Sequence, residues 1–591
     1  MIHNPCNINT LQGNYMIHVK DHKQRDMFNP FAHFGEKRLA LLESSWAHLF
    51  REEILHNLPV EKLFQFYDEF KGRKTKELYA MLGLVLIQQM EDCSDADAVD
   101  NFALNLKWQY ALNITETSDT ASYVSPRTVW NLRDIVAQHG LQDALFENVT
   151  NALKKLFVLD PSKQRLDSVH IFSNMAHLGR IRLFVRTIRT FLTNLKRHHA
   201  KEYDALGDIV LRYDKKSDGA FAVKPTESAR KLVELGDDCF VLVEWFKEHA
   251  AIGKMDSYKH LVRMFNEQCI VEKDDNDGAQ VVVKASKDVS SASLQNPSDP
   301  DAGYCGHKGK GYQMQVMETY SEDKSQPNLI THIKVEAANE SDANALLPAI
   351  EDAATRDLAP TELLADTLYG SDDNIEKAKE LGVAVIAPVM GAKESAIGLA
   401  DFTFSAADQI IACPEQQTPI KTKIGDNGGV TAYFDKSICD MCHRQSECPV
   451  KREKKSCTIS YDAKSLRLSR RRQLEKEEVF SKIYRYRSGI EGTMSDLDRI
   501  TGLKHLRVRG MPQVRLSATL KATGLNIRRA MTFKNRLKRP KTAQVSSEPS
   551  GDRLFNAVKE HLRLVYDYFQ DTVFAVATFF HQIYESTPKV A

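Results

Sequence analysis

The chain is 591 residues long, 42% hydrophobic and 27% charged, a composition of ordinary soluble domains. Its formal net charge of +1 hides an uneven distribution: Lys464 to Pro540 hold 21 Lys and Arg against 6 Asp and Glu, an excess of 15, so the rest stands at −14. No run approaches the ~18 apolar residues of a membrane span, and the polar N-terminus predicts no secretory signal.

Residues 1–38 are polar and read as an irregular arm. Residues 39–150 carry helical periodicity and are expected to form a helical DNA-binding domain. AMLGLVLIQQM (80–90) is apolar enough for a core helix. SPRTVWNLRDIVAQHG (125–140) opens on a Ser-Pro start signal and closes on Gly140. Arg127 and Asn131, four residues apart, share a helix face that could meet DNA, in a helix-turn-helix or a plain bundle.

RLDSVHIFSNM (165–175) changes period and predicts a strand with Asp167 at its middle. Residues 176–299 are expected to be a helical insert, ending in an acidic stretch and a loop rich in Ser, Asp and Pro. HKGKGYQ (307–313) is a weak phosphate-binding signal and a better hairpin turn. GYQMQVMETYS (311–321) and LITHIKVEAA (329–338) alternate as antiparallel neighbours do. A helix (342–357), a strand ending in a turn (361–371, with Asp366), a helix (373–382) and a buried strand (383–389) follow. With the insert looped out, residues 160–175 and 300–390 resemble an RNase H-like α/β core.

Five of the ten cysteines fall between 413 and 457, in a Cys-rich segment (391–460). In a chain with no secretory signal such clustering points to metal more than to disulfides. Cys413, Cys439, Cys442 and Cys448 can furnish four thiolates for a structural Zn²⁺ in a zinc-ribbon-like insert, and Cys457 or His443 could replace one. The basic block (461–540) contains YRYRSGIEGTMSDLDR (484–499), a lone Glu491 between two glycines. On one continuous helix Tyr484, Arg487 and Glu491 would lie within roughly 60° of one another. Gly489 and Gly492 would each cost such a helix about 1 kcal/mol and allow something to approach closely. A linker (541–552) and an amphipathic C-terminal helix (553–591) complete the chain.

LDSVH around Asp167, LADTLYGS around Asp366, and Tyr484-x2-Arg487-x3-Glu491 together resemble the bacterial insertion-sequence transposases of the DDE class, in the branch with a Tyr-Arg-Glu signature and a Cys-rich insert. NFALNLKWQYAL (101–112) is similar to their helical N-terminal domain. The resemblance spans roughly 38 to 540. It implies that Asp167, Asp366 and Glu491 form a catalytic triad binding Mg²⁺ or Mn²⁺. It also implies metal-dependent cutting and joining of double-stranded DNA, at element terminal inverted repeats and target, by a homodimer on DNA in the bacterial cytoplasm at the nucleoid. Tyr484 and Arg487 would meet the DNA end. Position 498 is Asp where related signatures have Lys, so Arg499 or Lys504 would take over that phosphate contact, beside Arg507 and Arg509. The alternatives are a transposase-derived nuclease that no longer joins strands, and a DNA-binding protein without catalysis.

Overall fold

Val169 and Ile171, and across from them Met314 and Tyr312, stand at every second position of their strands and are buried, so two neighbouring strands turn apolar faces to the same side. In the computed structural model they belong to one mixed sheet. Its strands are β1 (Lys163–Ile171), β2 (Gly303–Cys305), β3 (Gly309–Thr319), β4 (Ile330–Ala337), β5 (Glu362–Ala365) and β6 (Ala384–Ile386). The order is β4-β3-β1-β5-β6, with β2 paired to the start of β3. β3 is antiparallel to both β1 and β4, whereas β1, β5 and β6 run parallel. The expected buried strand at 383–389 is shorter: β6 has three residues, lies at the sheet edge and exposes Ala384.

The structure describes residues 16–24, 29–213, 221–273, 279–391, 396–426 and 428–538. Much of the expected arm (1–15 and 25–28), the linker 541–552 and the C-terminal helix 553–591 lie outside them. The chain divides into one unit, Met1–Phe533, and a second, Lys534–Ala591, of which only the last helical residues are described. Among the described residues no helix is long and apolar enough to cross a membrane.

Before the sheet come the helices α1 (Leu78–Met90), α2 (Pro126–Gln138) and α3 (Leu141–Phe157). α1 is apolar all round and buried on nearly every side. α2 starts where the Ser125 hydroxyl accepts the Thr128 N–H and Pro126 fills the first turn. These helices are not a separate body. One apolar cluster runs from Phe31 through Leu145 and Leu159 into Leu166, Met317 and Leu363 of the sheet.

Between β1 and β2 the chain makes an excursion with its own core, built from Phe184, Phe191, Leu242, Phe246 and Leu261 on the helices Arg180–His198, Ser228–Phe246 and Asp256–Gln268. It is not wholly helical: Cys269–Lys273 and Ala279–Val283 pair as an antiparallel hairpin. The polar composition between those strands masks the pairing in the sequence. The Cys-rich segment also has its own core, around Phe402, Phe434, Ile459 and Tyr461, on a four-stranded antiparallel sheet ordered 421–424, 430–434, 457–461, 451–452.

The basic end supplies α4 (Ala463–Glu475), α5 (Glu478–Tyr484), α6 (Gly489–Thr501) and α7 (Met511–Lys538). The continuous helix expected through Tyr484 and Glu491 is broken by a 3-10 turn at Arg485–Ser488. α6 and α7 cover the Val169/Ile171 face of the sheet through Ile490, Met494, Leu497, Val514, Ala518 and Leu525.

Candidate active site

The parallel ladder between β1 and β5 ends at Leu166 opposite Ala365. The next residue on each strand is an aspartate, Asp167 and Asp366. Parallel neighbours lie about 4.8 Å apart, so the two carboxylates emerge side by side where one strand continues and the other turns away. Each is fixed in the same manner. Asp167 Oδ1 accepts the Ser168 N–H (2.9 Å) and Asp366 Oδ1 accepts the Thr367 N–H (2.7 Å). That leaves both Oδ2 atoms pointing at Arg487, whose Nη2 lies 2.9 Å from Asp167 and 3.8 Å from Asp366. Glu491, on the first turn of α6, completes the group, with Oε1 3.0 Å from Arg487 Nη1. Three carboxylates from two adjacent strands and one helix thus converge on one guanidinium.

Exposure rises across the cluster, from 18% for the Asp167 side chain to 46% for Asp366 and 66% for Glu491. Burial raises the Asp167 carboxyl above the ordinary range, Arg487 and the Ser168 N–H oppose it, and Asp366 and Asp342 add to it. The Tyr484 phenol, half-buried beside the same groups and stacked on Phe480 at 5.3 Å, is also raised, first by burial. Among the described residues no group of three or more His, Cys, Asp or Glu is arranged to hold a metal ion as it stands. The donor chemistry nevertheless suits a hard divalent cation: three carboxylates face one cation, the Arg487 guanidinium.

A buried ion network anchors the helix that carries Glu491. Glu318 of β3, fully buried, accepts from Arg165 Nε of β1 (2.8 Å), from Thr493 Oγ1 of α6 (2.7 Å) and from Arg529 Nη1 of α7 (2.8 Å). Arg165 Nη1 also donates to the Tyr486 carbonyl (2.6 Å) in the 3-10 turn. Gly489 is where α6 meets this guanidinium: a Cβ there would lie 2.7 Å from Arg165 Cζ. A Cβ on Gly492 would meet nothing within 4 Å. The Glu318 network escaped sequence reading. Its signal was an acid on the apolar side of an alternating strand, in step with Tyr312, Met314 and Val316.

Much of the basic block meets acids of the chain itself. Arg467 pairs with Asp372, Arg470 with Asp408, Arg515 with Asp143, and Arg528 with Glu91. Arg471 donates to the carbonyls of Gly370 and Ala387. Of the residues expected to meet DNA, Tyr484 and Arg487 lie in the acid cluster. Arg507 forks onto Asp92 at 3.1 Å, Arg499 is paired with Asp496 at 2.9 Å, and Lys504 lies 3.6 Å from Asp498, the residue that stands where lysine was expected. Arg509 is exposed. The HKGKG segment runs from the turn between β2 and β3 into the start of β3. Gly311, at φ 148°, bends there against the Ile171 carbonyl, and Lys308 Nζ comes to 3.2 Å from the Ser168 hydroxyl.

Cys413, Cys439, Cys442, Cys448 and Cys457 line one cavity with Ile397, Phe434, Ile438 and Val450. Two sulfurs accept backbone N–H groups, Cys413 from Gln417 (3.3 Å) and Cys448 from Val450. Cys439 and the fully buried Cys457 are hydrogen-bonded to each other. Burial, with Cys457, Cys448 and Cys413 near it, pushes the Cys439 thiol up to about 12. Cys457 thus joins the four cysteines expected from spacing. His443, at the rim, is 77% exposed and 3.8 Å from Glu415.

Comparison with known families matches two separate parts of the chain. Residues 412–531 match a family model described as "Transposase DDE domain". Residues 44–134 match one described as "Transposase domain (DUF772)". The first span contains the five cysteines of the cavity together with Tyr484, Arg487 and Glu491, and neither span reaches Asp167 or Asp366. No curated protein matches the chain.

Proposed function

We infer that this chain, a DNA transposase of the DDE class, cuts and joins DNA at insertion-sequence ends with Asp167, Asp366 and Glu491 as its catalytic triad. The observation that carries this reading is the convergence of these three carboxylates from adjacent strands and a covering helix. The strand order β4-β3-β1-β5-β6, antiparallel on one side of β1 and parallel on the other, supports an RNase H-like core. Mg²⁺ or Mn²⁺ held by the triad supplies, when bound, the positive charge that activates an attacking oxygen and stabilises a leaving one.

The chain's own residues supply position. Asp167 and Asp366 are held by their strands and by the next backbone N–H, so their free oxygens are aimed before substrate arrives. Glu491 is held by the anchoring of α6 to Glu318. Water attacks a phosphodiester at the element end and frees a 3′-hydroxyl, which then attacks a phosphodiester of another strand. Both steps are in-line displacements at phosphorus, so one set of carboxylates serves both. Tyr484, Arg499, Lys504 and Arg509 lie near enough to α6 in sequence to take DNA phosphates along its length. The active species is a homodimer bound to two inverted repeats in the bacterial cytoplasm. A structural Zn²⁺ on four of the five clustered thiols holds the Cys-rich segment, because thiolates in an apolar cavity with N–H···S bonds suit that ion. The competing readings, a cleavage-only nuclease and a non-catalytic DNA-binding protein, gain no support from either family match.

The test is to incubate purified protein with the inverted repeats that flank its gene and Mg²⁺, beside Asp366→Ala. Metal-dependent cleavage and strand joining, lost in the variant while DNA binding survives, is the expected result. DNA binding without cleavage by the wild type would overturn the reading.

A further inference from the structure

Arg487 sits where the reading above places a metal ion. Its two terminal nitrogens reach Asp167 Oδ2 (2.9 Å), Asp366 Oδ2 (3.8 Å) and Glu491 Oε1 (3.0 Å), the oxygens that Ser168 and Thr367 leave free on the two aspartates. The Arg487 side chain is only 17% exposed, so it is not a surface cation that happens to lean inward. Its Nε is buried without a hydrogen-bond partner, so this position leaves one donor unmet. The backbone beneath it is a 3-10 turn between two helices, with fewer internal bonds to hold it than a continuous helix has.

Three like charges at one point repel one another, and a single positive charge among them lowers that cost. A guanidinium and a divalent cation compete for the same oxygens, and both cannot occupy the centre. We propose that Arg487 is a built-in counter-ion that holds Asp167, Asp366 and Glu491 together before the metal arrives and must withdraw for the metal to bind. This rests on the triad reading above. The withdrawn guanidinium then lies beside the loaded site as a free fork, the geometry that grips a phosphate with two parallel bonds. DNA phosphate therefore favours the withdrawn state and raises metal affinity, and metal raises DNA affinity by the same factor.

The experiment measures Mn²⁺ binding directly, by loss of the free-ion electron paramagnetic resonance signal, with no turnover. Wild type, Arg487→Gln, Arg487→Lys and Asp366→Ala are compared with and without a cleaved-end DNA duplex, and circular dichroism checks folding. Without DNA, Arg487→Gln is expected to bind Mn²⁺ at least tenfold more tightly than wild type. Arg487→Lys, charged but unable to fork, should fall between them. DNA should tighten Mn²⁺ binding by wild type and leave Arg487→Gln nearly unchanged. Equal or weaker binding by a folded Arg487→Gln overturns the proposal while leaving the metal site intact. Failure of wild type and Arg487→Gln alike to bind Mn²⁺, with or without DNA, or binding undiminished by Asp366→Ala, overturns the triad reading itself and this proposal with it.

Discussion

Gly489 and Arg165 are packed so closely that no side chain fits between them: a Cβ on Gly489 would stand 2.7 Å from Arg165 Cζ. Arg165 cannot step aside, since Glu318 and the Tyr486 carbonyl hold it. Gly489→Ala should therefore destabilise the protein by about 1–3 kcal/mol, despite gaining about 1 kcal/mol in helix propensity. Gly492→Ala meets nothing and should stabilise by about 0.5–1 kcal/mol. Urea denaturation midpoints of the two variants should move in opposite directions. Similar shifts for both would show that the close approach costs nothing.

Glu318 is fully buried and balances two guanidiniums, Arg165 and Arg529. Glu318→Gln keeps the shape but removes the charge, leaving Arg165 uncompensated and Arg529 with only Asp496, 3.6 Å away. The expected loss is about 3–5 kcal/mol, as for one partner of a buried ion pair. Because Glu318 also receives the Thr493 hydroxyl of α6, the region around Glu491 should lose hydrogen-exchange protection first. A loss under about 1 kcal/mol would mean that water replaces the carboxylate.

The three acids that face Arg487 stand out in the sequence because each sits in a local pattern: a polar residue amid an alternating strand, one just past a strand end, one in a helix among small residues. What decided the surroundings was not local. The acids of the rest of the chain that meet the basic block, among them Asp92, Glu91, Asp143, Asp372 and Asp408, lie 62 to 437 positions from these partners. A charge count sees an excess of 15 and cannot tell free cations from paired ones. The break in the helix at 485–488 was hidden for a related reason. Helical spacing alone is satisfied by a 3-10 turn, and the capture of the Tyr486 carbonyl by Arg165 involves a residue 321 positions earlier.

Asp92 joins the helical domain to the basic end. It pairs with Lys521, which is 2% exposed, at 2.7 Å and with Arg507 at 3.1 Å. Asp92→Ala strands a buried ammonium and should cost about 3–5 kcal/mol. Asp92→Asn keeps an acceptor and should cost less, while loosening the Arg507 fork, whose Nη1 still donates to the Asp92 carbonyl (2.6 Å). Arg507 was expected from sequence to meet DNA, and in Asp92→Asn nonspecific DNA affinity should rise at low salt, with a steeper salt dependence. An unchanged salt slope would remove Arg507 from the DNA surface.

His170 follows Asp167 on β1 and packs edge-on against Phe172 at 4.6 Å. Burial, then Lys308 and more weakly His177, pulls its imidazole from the ordinary 6.5 to about 4, against a small opposing contact from the Lys310 backbone. A depressed pKa means that the fold favours neutral His170. Its contribution is present above pH 6.5 and lost as pH falls through 4. The window is worth at most about 3 kcal/mol. Stability of wild type minus that of His170→Gln, from urea midpoints at pH 7, 5.5 and 4, should fall across that range. A constant difference would show that His170 titrates normally.

The cysteine cavity makes the last prediction, on which four of the five thiols hold zinc. Protein purified without chelator should carry about one Zn²⁺ per chain by elemental analysis. Removing the ion should destabilise the Cys-rich segment by several kcal/mol, since structural zinc sites draw folding energy directly from binding. Cys439→Ser should lose the ion, because Cys439 lies among Cys457, Cys448 and Cys413. The informative pair is Cys442→Ser and Cys457→Ser. Cys457 is fully buried and bonded to Cys439, whereas Cys442 is partly exposed and lies near Cys448. Retention of zinc by Cys442→Ser and its loss in Cys457→Ser would assign the set to Cys413, Cys439, Cys448 and Cys457. The reverse would restore the set expected from spacing. No zinc in the wild type, with a melting temperature indifferent to chelator, would leave the cavity as five thiols kept for packing.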